Sequence, residues 1–95
     1  MKLIEVIQNL DEFDADQAIY VTATSADADA VVDYEADDGN APPSAKGMRY
    51  FLEVSIARDS IRVWSQWRDG RQPTADERMQ AVLYYAKNDA FMPAN

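Results

Sequence analysis

The chain has 95 residues, 47% of them apolar, with seventeen Asp or Glu, nine Lys or Arg and neither Cys nor His, for a formal net charge of −8. Without Cys there can be no disulfide, thiolate ligand or cysteine nucleophile, and without His the commonest general base and a principal zinc ligand are missing, which excludes serine–histidine chemistry. Residues 1–40 hold eleven acids and one Lys (−10), whereas residues 41–95 hold six acids and eight bases (+2); such a field repels phosphate backbones and argues against direct nucleic-acid binding.

This length fits one domain over residues 1–95. No apolar run reaches the ~18 residues of a membrane span, and the opening MKLIEVIQNLDEF has no small-residue cleavage site, so a cytoplasmic protein without a membrane partner is expected. Leu3, Ile4, Val6, Ile7 and Leu10 share one face of a helix over residues 2–10, which is short and must dock to persist. The acids of DEFDADQ break the pattern, with Phe13 turned back to the core.

AIYVTA (18–23) and AVVDYE (30–35) are rich in β-branched and aromatic residues and flank a short polar stretch, which predicts an antiparallel hairpin. DDGNAPPSAKG (37–47) has turn residues and no periodicity, and reads as a loop. In RYFLEVSIA (49–57) the alternation of Tyr50, Leu52, Val54 and Ile56 predicts a third strand, although its second half also admits a helix. RDSIRVWSQWRDG follows as a short helix with Asp59 as N-cap and Gly70 as stop. Thr74 and Glu77 have capping-box spacing at the start of a last helix, whose stripe is Met79, Val82, Leu83 and Ala86. The fold class is α+β: a small three-stranded antiparallel sheet, an N-terminal helix and two C-terminal helices packed on one face.

The stretch SADADAVVDYEADDG (25–39) concentrates Asp27, Asp29, Asp33, Glu35, Asp37 and Asp38 without a base. A calcium loop counted from Asp33 puts glycine at position seven instead of six and Ser44 where a bidentate Glu is required, so no metal site is assigned. On a strand, Asp33 and Glu35 share the face opposite Val32 and Tyr34, so these acids form an exposed row that turn and loop acids extend. No facing carboxylate pair, depressed-pKa lysine or glycine-rich phosphate loop is evident, so no catalytic residue and no cofactor are assigned. Trp64 reads as core. Trp67, beside Arg68, reads equally as core or as part of an aromatic–arginine interface.

YFLEV, VWSQW and YYAKNDAF resemble a family of small acidic bacterial proteins of unknown function, in which a YFLEV-like strand and a YYA-NDA-like helix end recur. The resemblance covers most of the chain and implies a fold without implying an activity. The functional expectation is a non-enzymatic module, such as an immunity protein, antitoxin or inhibitor, whose acidic half (Asp27, Asp29, Asp33, Glu35, Asp37, Asp38), together with Trp67 and Arg68, contacts a basic protein. The alternatives are a nucleic-acid mimic occupying a DNA- or RNA-binding groove, a homo-oligomer subunit burying Trp67, Phe91 and Met92, and a small carboxylate-based enzyme.

Overall fold

The computed structural model describes residues 1–94. The chain runs α1 (Leu3–Gln8), β1 (Ala18–Val21), β2 (Ala30–Asp33), β3 (Arg49–Glu53), α2 (Val54–Gln66) and α3 (Ala75–Asn88), with single 3-10 turns at Leu10–Glu12 and Pro43–Ala45. The sheet is antiparallel in the order β2-β1-β3, so the most buried strand, β1, lies in the middle. The architecture is the expected α+β one. No helix among the described residues is long and apolar enough to cross a membrane.

One sheet face carries the main core. Ile19, Val21, Ala30, Phe51 and Leu52 meet Leu3, Val6 and Ile7 of α1, Val54 and Ala57 of α2, and Met79 and Val82 of α3. Phe13 packs against this cluster from the loop after the first 3-10 turn, as its apolar character demands. At six residues α1 is too short to persist alone. Tertiary contacts hold it: Leu3 and Ile4 donate their backbone N–H groups to the carbonyls of Ala28 and Ala26 in the β1–β2 connection, satisfying donors that a helix start leaves free.

In the β3–α2 region the strand is shorter than the alternation predicts, and the helical alternative for its second half is the one the chain adopts. A bulge between Ile19 and Tyr20 pairs Ile19 with Leu52 and Tyr20 with Tyr50, leaving Phe51 as the extra residue. Phe51 and Leu52 therefore both face the core, and the alternation read through Ile56 is broken. The strand ends at Glu53 and α2 begins at Val54, because Val54 and Ala57, with the partly buried Ile61, form a helical stripe that packs on the main core better than a strand's alternate residues would. Asp59 is consequently inside α2, paired with Arg62 at 3.0 Å, and does not cap it. Asp69 (φ 56°) and Gly70 (φ 81°) adopt left-handed conformations in succession and reverse the chain after α2. The hairpin strands end two residues earlier than expected, at Val21 and Asp33.

The α3 start is as its local chemistry dictates. Glu77 N–H donates to Thr74 Oγ1 and the Glu77 carboxylate accepts from Thr74 N–H at 3.0 Å, while Arg71 grips the same carboxylate through both Nη atoms at 3.2 and 2.8 Å. The Arg71 guanidinium, aided by the Thr74 N–H, lowers the Glu77 pKa to about 2. A folded-state pKa below the unfolded value stabilises the fold above the unfolded pKa, and that contribution is lost as pH falls through the folded one. The stability difference between wild type and Glu77→Gln is therefore expected to be full above about pH 5 and to vanish as pH approaches 2. Urea denaturation midpoints measured across that range check it; a pH-independent difference would show that the pair adds nothing.

Candidate acidic sheet face

The sheet face away from the helices is the more distinctive surface. Ala18, Tyr20 and Val31 lie on it beneath Ala45 and Met48, which belong to the segment 36–48 that folds back across the sheet. In register across this face, Asp33, Ala18 and Glu53 form one row, and Val31, Tyr20 and Tyr50 form the next. Tyr20 and Tyr50 meet edge to face with ring centroids 6.1 Å apart.

Acids gather around these rings. Asp33 accepts hydrogen bonds from Ser44 Oγ at 2.7 Å and Tyr34 N–H at 2.8 Å, and these donors, Ser44 foremost, hold its carboxyl below the usual range. Asp33 is thus half-buried and pins the covering segment to the sheet; it does not project freely as a strand pattern alone suggests. Glu35 makes no hydrogen bond or ion pair among the described residues. Its charge contributes, after burial, to raising the phenol pKa of Tyr20 together with Asp33, and that of Tyr50 together with Glu53. Tyr34, half exposed, donates its hydroxyl to the Asp14 carboxylate, and this bond is the main reason its own pKa is raised, with Asp16 and Asp33 close enough to add to the effect.

The acids thus fall into two neighbouring groups: Asp33, Glu35 and Glu53 lie by Tyr20 and Tyr50 on the outer face, and Asp14 and Asp16 lie by Tyr34, the residue after Asp33. Only Asp33 and Glu35 of the five stand out in sequence, because Glu53 reaches the outer face, and Asp14 and Asp16 reach Tyr34, through tertiary structure. The fold accommodates them at the start of α2: Val54 and Ser55 donate to the carbonyls of Gln17 and Ala15, and Glu53 is the N-cap, where the helix dipole favours negative charge.

The remaining acids expected in a continuous row are elsewhere. Asp29 pairs with Lys2 at 3.0 Å, a bond that lowers the Asp29 pKa, and Asp27 is near the same lysine. Four residues of extended chain separate Asp29 from Asp33, roughly 13 Å at a strand's rise, which exceeds the ~8 Å screening length at physiological ionic strength. Asp38 accepts from the backbone and side chain of Asn40, which lowers its pKa and shapes the loop, and Asp37 is exposed beside it. The six acids of 27–38 thus occupy three stations.

Trp64 is buried, as expected of a core residue, and Trp67 is 51% exposed. The Trp67 ring lies edge-on to Phe91 at 6.2 Å, and Phe91 packs on Tyr85 at 5.3 Å. Arg68 is engaged internally: it donates to the carbonyls of Trp64 at 2.9 Å and Pro93 at 2.6 Å, with its guanidinium 4.2 Å from the Trp64 ring centroid. Trp67 and Arg68 therefore dock the C-terminal segment and leave part of the indole open.

A cleft of about 420 Å³ beside α2 is lined by Arg58, Arg62 and Arg78, yet each already serves the fold. Arg58 donates to the carbonyls of Leu10 and Phe13, Arg78 to that of Ile7, and Arg62 to Asp59. Among the described residues no group of three or more Asp or Glu is placed to hold a metal ion. What the outer sheet face offers chemically is hydrogen-bond acceptors, aromatic faces and negative potential, all suited to receiving cations.

No curated protein and no solved structure matches the chain significantly. Residues 1–94 match the model of the family described as Domain of unknown function (DUF7716), and the chain belongs to that family.

Proposed function

We propose that the chain is a non-enzymatic acidic binding protein of the immunity-protein, antitoxin or inhibitor kind, which receives a basic protein on its outer sheet face in the bacterial cytoplasm. The observation that carries this reading is the gathering of Asp33, Glu35 and Glu53 around Tyr20 and Tyr50 on the outer face, with Asp14 and Asp16 beside the neighbouring Tyr34. Of the eleven acids in residues 1–40, only Asp11 and Asp29 lie within ion-pair distance of a described base, so most of this charge is uncompensated. Such a field accelerates encounter with a positive surface, and half-exposed tyrosines supply contact area at low entropic cost.

The test neutralises carboxylates that hold no hydrogen bond among the described residues. Asp16→Asn, Glu35→Gln and Glu53→Gln together are expected to weaken capture of the cellular partner roughly tenfold at low salt, at about 0.5 kcal/mol per exposed charge. The control variant Glu12→Gln, Asp69→Asn, Asp89→Asn has the same net charge. Asn is well tolerated at the left-handed positions 69 and 89, and this variant should retain binding. Equal loss in both variants would reduce the face to a contributor to net charge alone. Competition by duplex DNA for the same partner would redirect the reading to nucleic-acid mimicry.

A further inference from the structure

We propose that the notch between Tyr20, Glu35 and Tyr50 is a receptor for a single cationic side chain, a lysine ammonium or arginine guanidinium presented by the partner. The inference rests on the reading of the acidic sheet face and specifies how that face recognises its ligand. The notch has a volume of about 370 Å³ and is lined by Tyr20, Glu35, Asn40, Met48 and Tyr50, with Gly39 and Ala41 completing its rim.

Two groups there lack partners. Tyr20 is only 2% exposed and lines the notch; its hydroxyl makes no hydrogen bond to a described residue and is open to the notch, where a ligand's N–H can reach it. Glu35 likewise has neither a hydrogen-bond donor nor a base in contact among the described residues. A cation with N–H donors satisfies both at once. It can donate to the phenol oxygen and the carboxylate while resting on the exposed ring of Tyr50, whose negative π-face attracts positive charge. Both phenols have raised pKa values and so stay neutral at physiological pH. The fold offers no ligand of its own from the adjacent strand: Arg49 pairs with Val21, whose side chain lies on the helix-facing side of the sheet. Asp33 and Glu53 add negative charge around the notch, which favours a cation over an anion or a neutral group.

Titration of the ¹⁵N-labelled full chain with Nα-acetyl-lysine methylamide, Nα-acetyl-arginine methylamide, the uncharged norleucine analogue and a tetralysine peptide tests this. Saturable shifts at Tyr20, Glu35, Asn40 and Tyr50 are expected with the lysine or arginine probe, the stronger of the two identifying the side chain, and none with norleucine. Glu35→Gln should weaken that binding about fivefold, and the isosteric Tyr20→Phe about threefold, with the rest of the spectrum unchanged. If tetralysine instead shifts only Asp27, Asp29 and Asp37, or if Glu35→Gln binds the cationic probes as wild type does, the notch is overturned while the acidic reading stands. No shift with tetralysine at low ionic strength would overturn both.

Discussion

Ile19→Ala is expected to lower the unfolding free energy by about 3–4 kcal/mol, the range for truncating a fully buried aliphatic side chain that its surroundings cannot collapse around. Ile19 is fully buried on the central strand, opposite Val32 on one side and Leu52 on the other, beneath the helices. Its removal leaves a void bounded by elements that hydrogen bonds and the bulge at Phe51 hold in place, so little relaxation is available. A domain of this size has about 5–14 kcal/mol in all, so the loss is a large fraction and should lower the thermal midpoint by roughly 12–32 °C. Exposed Tyr34→Phe serves as the comparison: it removes one surface hydroxyl bond and leaves the core intact. Chemical denaturation of the two variants checks the contrast; a change below about 1 kcal/mol for Ile19→Ala would mean that the sheet and helices do not close over this position.

What the sequence disclosed and what it hid divide along the distance over which each interaction acts. The Thr74–Glu77 capping box was legible because its partners are three residues apart and backbone geometry alone brings them together. Trp64 was legible as core because a domain this small needs its large aromatic side chain to complete the interior, and it is buried. The strand-to-helix change at Val54 was not, since the same apolar spacing serves either period until the bulge at Phe51 is known, and that bulge exists only in the pairing with β1. The acidic surface shows the same limit. Alternation correctly set Asp33 against Val32, but Ser44, which holds the Asp33 carboxylate, arrives from eleven residues away across an irregular segment. Glu53 joins the face through the sheet register, and Asp14 and Asp16 come beside Tyr34 from twenty and eighteen residues away, which no local pattern records.

Arg58→Ala provides a second large effect, one that separates the amount of charge from its placement. From α2, Arg58 Nη2 donates to the carbonyl of Leu10 at 2.8 Å and to that of Phe13, fastening the turn that leads into Asp14 and Asp16. Charge-assisted bonds to half-buried carbonyls put the expected destabilisation at about 2–3 kcal/mol, and Arg58→Lys should recover only part of it, because one ammonium cannot reproduce the guanidinium fork. Hydrogen exchange should accelerate most at residues 13–17, where the Gln17 N–H donates to Asp14, and much less within α3. A uniform acceleration would show that Arg58 stabilises the molecule as a whole and does not position this turn. Binding gives the sharper discrimination. Removing an arginine makes the chain more negative, so if net charge alone attracted a basic partner, Arg58→Ala would bind more tightly. If the partner requires Asp14 and Asp16 held beside Tyr34, the same variant must bind more weakly despite its greater charge.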